Sequence, residues 1–191
     1  ADIFYIRQKE QLGLGHAVLC AKKHIGDEPF AVMLGDDIVV NDHPCIGQLV
    51  EAFERTGTSV VGVERVPKSK VSRYGVIKGK RVGDELYKVD DLVEKPSPEE
   101  APSDLAIIGR YVFKPEIFTY LEKIGPGKDG EYQLTDAMRL LCKKDGLHGL
   151  RFKGRRFDIG SKSDWIRATV ELSRDRPDLS GDLGFGVRKK A

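Results

Sequence analysis

Phe30-Ala31-Val32-Met33-Leu34-Gly35-Asp36-Asp37 opens with five apolar residues in a row, a run that no other stretch of the chain exceeds, and then stops at a glycine and two aspartates. Successive side chains of a strand point to opposite faces, so a strand apolar at every position reads as buried on both, as parallel strands are when helices cover each side. The flanks agree. Upstream, Gly13 and Gly15 form a turn into Ala17, Val18, Leu19 and Ala21, a helix start. Downstream, Ile46, Leu49, Val50 and Phe53 recur at helical spacing, Gly57 suits a helix-closing position, and Ser59 to Val66 is β-branched again. Strand and helix alternate, which predicts an α/β fold with a doubly wound, mixed and mainly parallel sheet.

Further along, Gly75 to Val82 and Leu86 to Lys95 read as two strands with no helix between them, an antiparallel insertion. Leu105 to Phe113 is a strand, and Pro115 suits the first turn of a helix running to about Lys123. Leu134, Ala137, Met138 and Leu141 form one apolar stripe closed by Lys143, Lys144 and Gly146. Leu147 to Phe157 reads as one strand, and Ser161 with Asp164 caps a helix over 165–173. Residues 1–174 make one domain, and 175–191, rich in Gly, Asp and Arg without periodicity, make a tail that is mobile or draped over a partner. The first residues, Ala1-Asp2-Ile3-Phe4-Tyr5-Ile6, resemble no signal peptide and read as though already inside a strand.

Composition narrows the function classes. With 40% hydrophobic and 32% charged residues the chain is an ordinary globular one. Its longest apolar run is far short of the ~20 residues a membrane-spanning helix needs. Thirty-two basic residues against thirty acidic leave +2, without blocks of one sign, so neither nucleic acid nor a membrane surface is favoured as a partner. Cys20, Cys45 and Cys142 fit neither a metal knuckle nor a disulfide framework, which points to a reducing, cytoplasmic setting.

Several positions suit chemistry, each with a plainer alternative. Asp36 sits where a buried strand ends, the edge at which open α/β sheets bind ligands, and one such carboxylate suffices for Mg²⁺, which keeps waters and substrate phosphates in its shell; equally, Asp36-Asp37 opens a turn. Gly13-x-Gly15 lets a ligand approach a helix start or simply makes a tight turn. Glu94-Lys95-Pro96 closes a strand; adjacent residues point to opposite faces, so a shared ligand requires a bulge or the reach of the lysine, and exposed edge charge is the alternative. Gly75 and Gly109 allow close backbone approach, as turns and strand packing also do. Asp158 ends a later strand as Asp36 ends an earlier one. No Ser/His/Asp or Cys/His pairing is legible.

Taken together, Ile6-Arg7-Gln8, Gly13-Leu14-Gly15-His16-Ala17-Val18-Leu19, Gly35-Asp36-Asp37, Tyr74-Gly75-Val76, Val93-Glu94-Lys95-Pro96, Leu105-Ala106-Ile107 with Gly109-Arg110-Tyr111, Gly130 to Ala137 and Phe157-Asp158-Ile159-Gly160 resemble, in order and spacing, the bacterial UTP–glucose-1-phosphate uridylyltransferases, or UDP-glucose pyrophosphorylases, of the sugar nucleotidyltransferase family. The resemblance runs from Asp2 to about Ser173. It implies that Gln8 and Gly13 read the uracil edge, that Asp36 and Asp158 hold Mg²⁺, that Gly75, Glu94 and Gly109 line the sugar, and that Lys95 contacts the sugar phosphate, with Lys95 and Asp36 catalytic. The reaction implied joins UTP and glucose 1-phosphate to give UDP-glucose and pyrophosphate, in an enzyme that assembles as a homo-oligomer.

Two departures qualify it. Gly35 stands where uridylyltransferases often carry proline, and Leu-Gly-Asp is familiar in glucose-1-phosphate thymidylyltransferases, so a thymidylyltransferase or a non-catalytic nucleotide-sugar binder are the alternatives. The family's Gly-x-Gly-Thr-Arg loop and Pro-x-Thr-Lys segment occur nowhere in the 191 residues. The resemblance therefore implies the later part of such an enzyme, without its first strand, phosphate loop and first helix, and inactive alone.

Overall fold

The computed structural model describes residues 1–127, 130–180 and 183–184. The chain runs α1 (Leu14–Cys20), α2 (Lys22–Ile25), β1 (Phe30–Met33), β2 (Asp37–Val40), α3 (Cys45–Thr56), β3 (Ser59–Arg65), a 3₁₀ turn (Lys68–Arg73), β4 (Gly75–Arg81), β5 (Leu86–Glu94), β6 (Leu105–Phe113), α4 (Glu116–Leu121), α5 (Leu134–Lys144), β7 (Leu147–Arg151), β8 (Arg155–Asp158), α6 (Lys162–Arg174) and α7 (Pro177–Ser180). Six strands form one mixed sheet in the order β1-β6-β3-β7-β5-β4, and β2 pairs with β8 in a separate two-stranded ribbon.

Strand β6 shows why helices cover both faces of the sheet. Its odd positions, Ile107, Tyr111 and Phe113, pack with α1, α4 and α5, while Ile108 and Val112 pack with Leu49 and Ala52 of α3 on the other side. Alternation along one strand thus feeds two cores, and the α/β, doubly wound reading holds. The β4–β5 hairpin is antiparallel as expected, with Gly75 opposite Glu94 and a bulge after Lys78. Helix ends also follow the sequence: Gly57 closes α3 in the left-handed conformation, with its N–H on Phe53 O, and Ser161 Oγ accepts the Asp164 N–H at the start of α6.

Four local expectations are corrected. The run Phe30–Met33 is antiparallel to β6 and lies at the sheet's end, so only Phe30 and Val32 turn inward while Met33 is 61% exposed. An unbroken apolar run is silent about pairing direction. Within the large sheet the parallel pair is β3–β7, with the other ladders antiparallel. Residues 2–7 form no ladder, and Ile3, Phe4 and Tyr5 are exposed, because β-propensity makes a strand only where a partner edge is offered. The stretch 147–157 divides at Gly154 (φ +139°) into β7 and β8, which belong to different sheets. Of the tail, 177–180 is the short helix α7, while 181–182 and 185–191 lie outside the described residues. No described helix is long and apolar enough to cross a membrane.

Candidate active site

A cleft of about 310 Å³ opens where the ends of β1, β5 and β8 meet the start of β4, the middle of β6 and the first turn of α5. Asp36, Gly75, Glu94, Gly109 and Asp158 all line it. Positions spread over 122 residues of sequence are therefore brought to one place by strand ends.

The two aspartates after β1 divide the work. Asp36 is exposed and its carboxylate accepts no hydrogen bond among the described residues, whereas Asp37 is buried. Asp37 Oδ2 accepts the Gly109 N–H at 2.6 Å, and Oδ1 is paired with the Arg156 guanidinium, both side chains 7% exposed. Arg110 donates to the carbonyls of Leu34, Gly109 and Asp37, so the turn after β1 is fastened to β6 from beneath. Gly109 lines the cleft for a structural reason: a Cβ there would sit 2.6 Å from Leu34 Cβ and 2.7 Å from Asp37 Oδ2.

Asp158 faces Asp36 across Gly160. A Cβ on Gly160 would lie 3.2 Å from Asp158 Oδ1 and 3.6 Å from Asp36 Oδ2, and the Ile159 N–H donates to Asp36 O. Burial alone would raise the Asp158 carboxyl, but the Tyr74 hydroxyl at 2.6 Å, the Gly160 amide and the Arg156 and Arg73 guanidiniums hold it below the usual carboxylate range. Tyr74 is itself raised, by burial and by that bond, so it stays a donor. Among the described residues no cluster of three or more metal ligands exists. What the cleft offers a divalent cation is the pair Asp36 and Asp158, one free and one kept ionised, which fits Mg²⁺ because that ion takes one or two carboxylates and fills the rest of its shell with water and phosphate.

Glu94, which lines the cleft, accepts from Thr135 Oγ1 at 2.6 Å, and Lys95, outside the lining, has its Nζ 3.9 Å from Glu94 Oε1. The strand rule predicts that these neighbours diverge. Here Lys95 has a left-handed backbone, φ +44°, with its N–H donating to Tyr74 O, and its long side chain brings Nζ near Glu94 Oε1.

Gln8 and Gly13 stand together outside the cleft lining, although Leu14, next to Gly13, is part of it. Gln8 Nε2 donates to Gly13 O at 3.1 Å and meets His16 Nδ1 at 2.9 Å. A carbonyl only accepts, so the group facing Gly13 is the amide NH₂, His16 Nδ1 must accept, and its proton sits on Nε2, 3.8 Å from Cys20 Sγ. A Cys/His pair thus exists at i,i+4 spacing, where the sequence alone shows no such pairing. Its tautomer aims a hydrogen rather than a lone pair at the sulfur, so His16 is not set up as a base for that thiol. Arg156, Tyr74 and Thr135 were also not singled out for these roles; only the pairing of β2 with β8 and of α5 with β5 reveals them.

The model of the nucleotidyl transferase family matches residues 1–175. The chain belongs to that family. The chain is 51% identical over 183 residues to UTP–glucose-1-phosphate uridylyltransferase YngB of Bacillus subtilis, an alignment that takes in 96% of this chain and 62% of that protein. Among solved structures it is similar to a UDP-glucose pyrophosphorylase complexed with UDP-glucose, with a TM-score of 0.88 and 43% identity over 91% of this chain and 66% of the other. It also resembles a UTP-bound enzyme of the same kind from Acinetobacter baumannii, with a TM-score of 0.82 and 33% identity over 94% and 62%. The chain spans less than two thirds of the length of these relatives. The α/β architecture and the membership in a family of nucleotide-transferring proteins are thus established from both sequence and fold.

Proposed function

We propose that the protein serves the transfer of a uridylyl group from UTP to glucose 1-phosphate, giving UDP-glucose and pyrophosphate. The observation that carries this reading is that a carboxylate couple suited to Mg²⁺, Asp36 and Asp158, lines one cleft with Glu94, whose Oε1 lies 3.9 Å from the ammonium of Lys95 just outside that lining, a couple suited to a sugar and its phosphate. The relatives named above support UDP-glucose as the nucleotide sugar.

Chemically the transfer needs little covalent work from side chains. An oxygen of the sugar phosphate attacks the α-phosphorus of UTP in line, one P–O bond forms, the bond to the pyrophosphate oxygen breaks, and the charge must be spread over cations. Lys95 would hold the sugar phosphate as a compact cation. Glu94 would accept hydrogen bonds from sugar hydroxyls. Mg²⁺ bound by Asp36 and Asp158 would neutralise the nucleotide phosphates. Gln8, whose amide NH₂ is engaged by Gly13 and His16, has its carbonyl left to accept the N3–H of the base, with Gly13 offering close backbone approach. Uracil and thymine share that N3–H, so this contact does not separate them.

Titration calorimetry of the chain with UDP-glucose, dTDP-glucose and Mg²⁺ tests the reading. UDP-glucose is expected to bind more tightly than dTDP-glucose, and Asp36→Ala to remove the dependence on Mg²⁺. Tighter binding of dTDP-glucose would move the assignment to a thymidylyltransferase, and no binding of either would overturn it. Because the sequence contains no Gly-x-Gly-Thr-Arg loop, we expect binding without turnover from these 191 residues, checked by a pyrophosphate-release assay.

A further inference from the structure

Thr135 is the second residue of α5 and is 8% exposed. A threonine at a helix start ordinarily turns its hydroxyl to the helix's own backbone. This one reaches another element, donating to Glu94 Oε2 at the end of β5 at 2.6 Å. Glu94 can only accept, so the direction of the bond is fixed. Gly75, opposite Glu94 in the β4–β5 ladder, leaves the bond its room: a Cβ there would stand 3.0 Å from Thr135 Oγ1 and 3.1 Å from Glu94 Oε2. The other oxygen, Oε1, is left facing Lys95, whose Nζ is 3.9 Å away.

The two oxygens of one carboxylate are therefore made unequal. Oε2 is held by a charge-assisted bond to a buried hydroxyl, and Oε1 remains for a ligand. A free glutamate side chain would have to be ordered when a sugar arrives; here it is ordered beforehand. We propose that Thr135 is a positioning residue that locks Glu94 in the orientation that reads the hydroxyls of a hexosyl group, and so sets the affinity of the cleft for the sugar half of a nucleotide sugar. The inference rests on the reading of the cleft given above.

The test compares UDP-glucose with UDP, which lacks the sugar, by titration calorimetry on the whole chain with Mg²⁺. Thr135→Val keeps the shape and removes the hydroxyl; it is expected to weaken UDP-glucose about tenfold, the loss of one charge-assisted hydrogen bond, and to leave UDP within twofold of wild type. Thr135→Ser, which keeps the hydroxyl, is expected to restore UDP-glucose binding. If valine unfolds the chain, Thr135→Ala, which introduces no new atoms, carries the same expectation. A Thr135→Val or Thr135→Ala chain that binds UDP-glucose like wild type, or loses UDP to the same degree, overturns the positioning role while leaving the cleft's function intact. A wild-type chain that binds neither ligand overturns the function itself, and the role of Thr135 with it.

Discussion

Lys95 is a lysine in a backbone conformation that favours glycine. Single non-glycine residues in this region carry a conformational cost of order 1–3 kcal/mol and persist where the surroundings impose them. Here the Tyr74 carbonyl takes the Lys95 N–H, just past the end of β5, and Lys95 Nζ lies 3.9 Å from Glu94 Oε1. Lys95→Met, which keeps the chain length and removes the charge, is expected to weaken binding of glucose 1-phosphate about tenfold by calorimetry; unchanged affinity would place the sugar phosphate elsewhere. Asp158 yields a prediction in pH. Its folded carboxyl lies below the ordinary value, so its ionised form stabilises the fold above the unfolded value of about 4, and that stabilisation disappears as pH falls through the folded value. Melting temperatures measured stepwise from pH 6 to pH 3 should fall less steeply for Asp158→Asn than for wild type, and parallel curves would contradict this. The identities of Asp36, Asp158, Glu94 and Lys95 were legible in the sequence. Which of the two options for Glu94 and Lys95, a bulge or the reach of the lysine, applies was not, because the backbone conformation at residue 95 is set by its contact with Tyr74.

Strand β6 and the turn after β1 meet at Gly109, where the backbone N–H and carbonyl serve Asp37 and Leu34 in turn. A Cβ there meets the Leu34 side chain and the Asp37 carboxylate, which the Gly109 N–H and Arg156 already hold in place. Gly109→Ala is therefore expected to destabilise the protein by about 1–3 kcal/mol, read as a lower urea midpoint with the slope unchanged, and a neutral result would show that the turn can move aside. At this scale the elements are legible in the sequence wherever local chemistry decides the outcome. The amphipathic stripes of α3 and α5, the Gly57 closure and the Ser161 cap were all visible, because spacing and capping act within one helix. Residues 2–7, 30–33 and 147–157 are less legible, because strand existence, direction and breaks there depend on which edge is available.

Across the whole molecule, the link between the large sheet and the β2–β8 ribbon passes through Asp37 and Arg156. Arg156 also faces Glu64 of β3 at 3.3 Å and Asp158 at 3.7 Å, and lies 5.2 Å from the centre of the Tyr74 ring. Removing one partner of a buried pair strands the other, so Arg156→Met is expected to cost about 3–5 kcal/mol in a urea titration, with Asp37→Asn on the same chain recovering part of it. A loss below about 1 kcal/mol would mean that water reaches Asp37 and compensates. The ribbon places Asp158 opposite Asp37 and so brings a carboxylate from residue 158 beside one from residue 36. By itself the sequence determined the fold class, the family, most helix limits and five of the residues that line the cleft, Asp36, Gly75, Glu94, Gly109 and Asp158, since periodicity, capping and motif order are written in neighbouring residues. Only the tertiary structure decided that Asp37 is structural while Asp36 is free, that Thr135 grips Glu94, and that Arg156 underlies both. Those facts arise from burial and from contacts between elements far apart in the chain, and no local spacing encodes which buried charge will find which partner.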